Sequence, residues 1–129
     1  MIKKDRFKKW EVKSSSLIGL TPVKARDLLV DCFYTEQKAT FRAISSGDDR
    51  VAPPSGDDIY RRVSAAVRFA FMEVGGDFTK PTISAIERAV DFLANRAALW
   101  GTPSEVTKHN KAQMRKVVEA LRRQSENRL

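Results

Sequence analysis

Apolar residues return at three- and four-residue steps over four stretches of the chain, and turn-forming residues separate those stretches. After Thr21-Pro22, the positions Ala25, Leu28, Leu29, Cys32, Phe33, Gln37, Thr40, Phe41 and Ile44 share one face of a helical period. Thr is a good N-cap, and Pro at the first helical position lacks only an N–H that would be unpaired there anyway. The stretch predicts a first helix ending near Ser45-Ser46-Gly47. Residues 45–57 read as a loop, because Pro53 and Pro54 break any helix and Ser55 or Asp57 can cap the next one.

A second helix is predicted over about 57–74, with Ile59, Val63, Ala66, Val67, Ala70, Phe71 and Val74 as its stripe. Gly75-Gly76 ends it, since glycine takes the left-handed C-terminal conformation at little steric cost. A third helix is predicted from Thr82 to Trp100, with Ile83, Ile86, Val90, Leu93, Ala97 and Trp100 as its main face. At Gly101-Thr102-Pro103-Ser104-Glu105 the pattern is glycine stop, Thr N-cap, Pro at the first position and Glu at the third. That spacing predicts a capping box and a tight helix–helix corner. The fourth helix then carries Val106, Asn110, Gln113, Met114, Val117, Val118 and Leu121 to about residue 124.

Similar helix lengths and short links predict an all-α fold, a four-helix up-down bundle with a basic N-terminal arm. The domain limits follow: 1–20 an arm, 21–124 the bundle, 125–129 a frayed tail. Within the arm, Trp10, Val12 and Leu17-Ile18-Gly19-Leu20 leave two outcomes open, an extended segment packed on the bundle or a disordered one. Helices two and three carry large apolar residues beyond their stripes. Phe69, Met72, Phe92 and Leu99 therefore stand as interface candidates, for a second copy of the chain, a protein partner or the arm.

Composition changes little in this picture. The chain of 129 residues is long enough for one core, and 42% hydrophobic with 31% charged residues is a globular balance. No apolar run reaches the length of a membrane span, and the basic N-terminus lacks the apolar region of a secretory signal. The single cysteine excludes an internal disulfide and a multi-cysteine zinc site. A cytoplasmic location is expected.

Charge adds an asymmetry. The formal net charge is +8, and all of the excess lies at the two ends. Lys3, Lys4, Arg6, Lys8, Lys9 and Lys13 face only Asp5 and Glu11 in the first 13 residues, while the last 28 residues carry seven cations against three acids. Such ends attract polyanions through Coulomb energy and counterion release. Lys3, Lys4, Arg6, Lys8, Lys9 and Trp10 on the arm, with Lys108, Lys111, Arg115, Arg122 and Arg123 on the last helix, are the candidate polyanion contacts. Phe7 and Trp10 between the cations suit base stacking. They equally suit an amphipathic arm on an anionic membrane surface or an anchor into the protein's own core. The ordinary reading of the basic ends is solubility charge.

Candidate chemistry is sparse. Gly75-Gly76-Asp77-Phe78 looks like part of a cyclase signature, but it lacks that signature's further acidic residue and closes an amphipathic helix. Ser46-Gly47-Asp48-Asp49 and Ser55-Gly56-Asp57-Asp58 repeat at a nine-residue interval without the ligand spacing of an EF-hand, and capping explains them. Cys32 falls on an apolar stripe, where a thiol is a small hydrophobe. The single histidine, His109, is placed by helix heights beside Gln37 or Lys38, more than a turn from Cys32, so no Cys–His dyad is expected. Gln37, Asn110 and Gln113, with His109 as an optional fourth member, form a candidate polar layer fixing helix register. There is no Glu-x-x-His pattern, P-loop, dinucleotide fingerprint or nucleophile elbow. A non-enzyme with no metal and no cofactor is expected.

Cys32-Phe33-Tyr34 with Gln37, Gly75-Gly76-Asp77-Phe78 and Trp100-Gly101-Thr102-Pro103 together resemble segments of small bacterial all-helical proteins that carry no established function. The resemblance covers about residues 14–124 and implies a bacterial helical protein, with no site residue to carry over. The expected role is a non-catalytic interaction or self-associating module, most simply a homodimer. Nucleic-acid binding through the arm and the last helix is the alternative.

Overall fold

The computed structural model describes residues 9–45 and 55–126. Among these there are four α-helices and no strand: α1 (Pro22–Ser45), α2 (Gly56–Glu73), α3 (Ile83–Ala97) and α4 (Ser104–Glu126). The Thr21 side chain accepts the Lys24 N–H at 3.2 Å at the start of α1, and Ser55 and Thr82 cap α2 and α3 through the N–H groups of Asp58 and Ala85. The expected loop falls largely outside the described residues, as do Phe7, Asp48, Asp49 and the proline pair.

Gly75 and Gly76 close α2. Gly75 has φ +76°, and the Gly76 N–H reaches back to the Phe71 carbonyl at 2.8 Å. A Cβ on Gly76 would lie 2.7 Å from the Ala85 Cβ, so only glycine lets the end of α2 pass this close to the start of α3. The second corner departs from its expected form. The regular part of α3 stops at Ala97, Ala98–Trp100 tightens into a 3₁₀ turn, and Gly101 takes φ +89°. α4 begins at Ser104, and Thr102 is buried with its hydroxyl turned toward α1 instead of onto the helix start. There it meets Gln37 Nε2 at 3.2 Å and Thr40 Oγ1 at 3.1 Å.

α1 and α3 each pack against both α2 and α4, and α1 also meets α3. Leu29, Phe33, Val67, Phe71, Ile86, Leu93, Met114 and Val117 fill the shared core. Burying a side chain such as Phe71 stabilises by about 1.5–3 kcal/mol relative to exposure. Two core residues come from outside the helices. Trp10 and Leu20 are both buried, so the segment before α1 completes the core.

Candidate interaction surface

Residues 10–20 lie along α4 as a strap, and side chains of α4 bind its main chain. Asn110 Oδ1 accepts the Trp10 N–H at 2.9 Å, and His109 Nε2 lies 3.0 Å from the Trp10 carbonyl. That partner accepts only, so the proton sits on Nε2. Gln113 accepts the Val12 N–H at 3.1 Å. Gln124 bridges the chain across Leu17 to Leu20, accepting from Leu20 N–H at 2.7 Å and donating to the Leu17 carbonyl at 2.6 Å. Positions 109, 110, 113 and 124 share one face of α4, and they supply the partners that an isolated extended segment lacks.

Trp10 locks the strap's other edge. Its ring is buried at 5% exposure, and its indole N–H donates to Asp31 on α1 at 2.8 Å. The core-anchor reading fits this placement. A buried ring presents no face to a nucleic-acid base, so Trp10 does not serve as a stacking platform here. Behind it, Asn110 donates to Glu36 Oε2 at 2.9 Å. Glu36 is buried, and burial pushes its carboxyl above the usual range, against the lowering effect of its hydrogen bonds from Asn110 and Gln37. The single polar layer expected from Gln37, Asn110, Gln113 and His109 is therefore divided. Gln37 serves the Thr40–Thr102 corner, and the other three serve the strap. Nothing in the sequence marks Glu36 for this place, because a lone Glu on a helix reads as exposed.

The basic residues are divided as well. Lys111 pairs with Asp91 at 3.0 Å and Arg122 with Glu87 at 2.8 Å, both toward α3. Lys108, Arg115 and Arg123 are exposed and have no carboxylate in ion-pair contact among the described residues. Lys9 is exposed immediately before Trp10, beside His109. Lys3, Lys4, Arg6 and Lys8 lie outside the described residues.

Of the four apolar candidates, Phe69 and Phe92 meet at the seam of α2 and α3, Met72 lies one turn after Phe69 on α2, and Leu99 lies in the 3₁₀ turn after α3. The Phe69 and Phe92 rings meet edge to face at 6.0 Å, and the Arg96 guanidinium lies over Phe92 at 4.3 Å and Phe69 at 5.8 Å. Phe69 is 40% exposed, Met72 64% and Leu99 82%. The strap, which was one candidate to cover them, is tied instead to α4 and α1.

Hollows occur in several places. A cavity of about 30 Å³ lies among α1, α3 and α4, next to Cys32, Glu36, Asn110 and Met114. A groove of about 360 Å³ separates α1 from α2 on the outside of the bundle. Another, of about 250 Å³, lies between Phe33, Phe41, Val63 and Trp100 at the corner end. Cys32 is buried, and burial, then the Glu36 and Asp31 charges, raise its thiol well above its ordinary value. His109 is turned to the strap. No cluster of His, Cys, Asp and Glu that could hold a metal occurs among the described residues, and none of their helices is long and apolar enough to cross a membrane. No protein-family model, curated protein or solved structure matches the chain.

Proposed function

We propose that this protein is a non-catalytic interaction module whose α2–α3 seam binds a second copy of the chain. One observation carries the reading: Phe69 and Phe92 meet across α2 and α3 with Phe69 half exposed, and Met72 on α2 and Leu99 just after α3 are exposed large apolar residues. Aromatic residues, Met and Arg are enriched in the cores of protein interfaces, and this seam combines all three. The domain itself is an up-down four-helix bundle in this reading. The packing of α1 and α3 against both α2 and α4 supports that order, as do the short corners at 74–82 and 98–103. Sedimentation equilibrium tests the interface. The wild-type chain is expected to dimerise at micromolar concentration, and Phe69→Glu to be monomeric while keeping the wild-type helical circular dichroism spectrum. A wild-type chain that stays monomeric up to about 100 μM, a free energy of association weaker than roughly −5.5 kcal/mol, overturns the proposal.

A second reading is favoured by the strap. Tied to α4 at His109 and Asn110, it brings exposed Lys9 to the helix that carries exposed Lys108, Arg115 and Arg123. In this reading these four cations form one polyanion-binding region. Lys111 and Arg122 already face acids of α3, so contact by Lys9, Lys108, Arg115 and Arg123 alone predicts that log K on duplex DNA falls with log salt at a slope of about −3.6. Fluorescence anisotropy at two salt concentrations measures it. Binding that ignores salt, or that survives charge reversal at Lys9 and Lys108, counts against this reading.

A further inference from the structure

The groove between α1 and α2 lies away from the α2–α3 seam, and its lining is ordered along its length. At one end the Arg26 and Arg68 guanidinium groups stand over the ring of Phe78, at 4.5 and 4.3 Å from its centroid. Farther along come Asp31, five residues on from Arg26 in α1, and Ser64, one turn before Arg68 in α2. A further turn along, Tyr34 and Tyr60 meet edge to face at 5.8 Å. Successive turns are about 5.4 Å apart, so the groove presents cation, then carboxylate and hydroxyl, then aromatic wall.

The charges at its two polar levels are unequally satisfied. Arg26 donates to Asp27 and to the Phe78 carbonyl, so the Arg26 and Asp27 charges neutralise one another. Arg68 contacts the Phe78 ring and has no carboxylate in ion-pair distance among the described residues. Asp31 accepts from the Trp10 indole, a neutral donor that offsets none of its charge. One cation and one anion in a groove of about 360 Å³ therefore lack an oppositely charged partner among the described residues. That volume lies in the range of small-molecule sites, roughly 300–1,000 Å³.

From this order we infer that the groove is a binding site for a free aromatic α-amino acid. Its carboxylate pairs with Arg68, its ammonium with Asp31 and the Ser64 hydroxyl, and its ring lies against Tyr34 and Tyr60. An α-amino acid carries a carboxylate and an ammonium on one carbon with the ring a methylene away, so one ligand supplies a partner for Arg68, for Asp31 and for the tyrosine wall. A peptide carboxyl terminus lacks that ammonium, and a simple anion leaves Asp31 unpaired and repelled.

The test is a titration of the isotope-labelled chain with L-phenylalanine, followed by amide chemical shifts. 3-Phenylpropanoate and 2-phenylethylamine serve as ligands with one charge each. Saturable shifts are expected at residues 26–34 and 60–68, with both one-charge ligands weaker by about fivefold or more. Arg68→Gln and Asp31→Asn should each weaken phenylalanine by a similar factor. The amide introduced by Asp31→Asn keeps an oxygen for the Trp10 indole, and Arg68 is exposed, so both variants should melt with the wild type. Absence of saturation by about 20 mM overturns the proposal. Equal binding of the one-charge ligands, or an unchanged affinity in Arg68→Gln, overturns it too.

Discussion

At the scale of single residues, Glu36 and Cys32 show how burial sets chemistry. Glu36 sits one turn from Cys32 behind the strap, bonded to Asn110. Its carboxyl is raised by burial, so the folded protein holds a proton there more tightly than the unfolded chain does. The stabilisation from that proton is present below the ordinary carboxyl range and is lost as pH rises through the raised value. Glu36→Gln keeps an oxygen for Asn110 and removes the buried charge. Thermal melts should therefore show the variant more stable than wild type at neutral pH, and the gap should close as pH falls into the ordinary carboxyl range. A gap that widens on acidification would contradict the assignment. Cys32 follows the same logic with an opposite consequence for reactivity. The thiolate is the nucleophile, and burial suppresses it. Its reaction with an aromatic disulfide reagent should proceed only at the rate of unfolding and accelerate sharply in denaturant.

Among the elements, the strap is the one whose position depends on side-chain amides. α4 supplies Asn110, Gln113 and Gln124 at helical spacing, and each meets a main-chain group of residues 10–20. Gln124 makes two of these bonds. Gln124→Ala should cost about 1–3 kcal/mol, because it leaves the Leu20 N–H and the Leu17 carbonyl to find water. Trp10→Ala should cost more, about 3–5 kcal/mol, since it opens a cavity in the shared core. Denaturant melts measure both, and hydrogen exchange of the Val12 and Leu20 amides separates loosening of the strap from global unfolding. Equal protection of those amides in wild type and Gln124→Ala would show that Gln124 does not hold the strap.

For the whole molecule, the apolar seam and the basic region lie on different helices, α2 with α3 in one case and α4 with the arm in the other. The two surfaces should act independently. Phe69→Glu is expected to abolish self-association and leave polyanion binding within about twofold, and Lys108→Glu to do the reverse. Measuring both properties on both single variants separates the two surfaces. A variant that loses both would show that the basic region needs two copies of the chain to bind.

Local chemistry made most of the fold legible from sequence. The helical period located four helices, and glycine at 75 and 101 marked two ends because left-handed backbone there costs other residues free energy. Thr82 is the helix start that its local pattern indicates, and of the two candidate caps Ser55 and Asp57 it is Ser55 that caps α2. The large apolar residues off the main stripes were legible too, since an amphipathic helix has one face to bury. What no local pattern carries is the partner of a polar side chain. Thr102 has the spacing of a helix cap, yet its hydroxyl turns inward because Gln37 and Thr40 of α1 stand across the corner. Asn110 and Gln113 read as a layer between helices, but the strap's main chain lies nearer and needs them. The α1–α2 groove left no signal at all, because Arg26, Asp31, Tyr60 and Arg68 read singly as solvent-facing residues. The sequence by itself determined where helices start, stop and turn apolar, since those depend on backbone sterics and on neighbours within a turn. Only the tertiary structure decided which polar groups meet, because that depends on what distant chain arrives opposite each one.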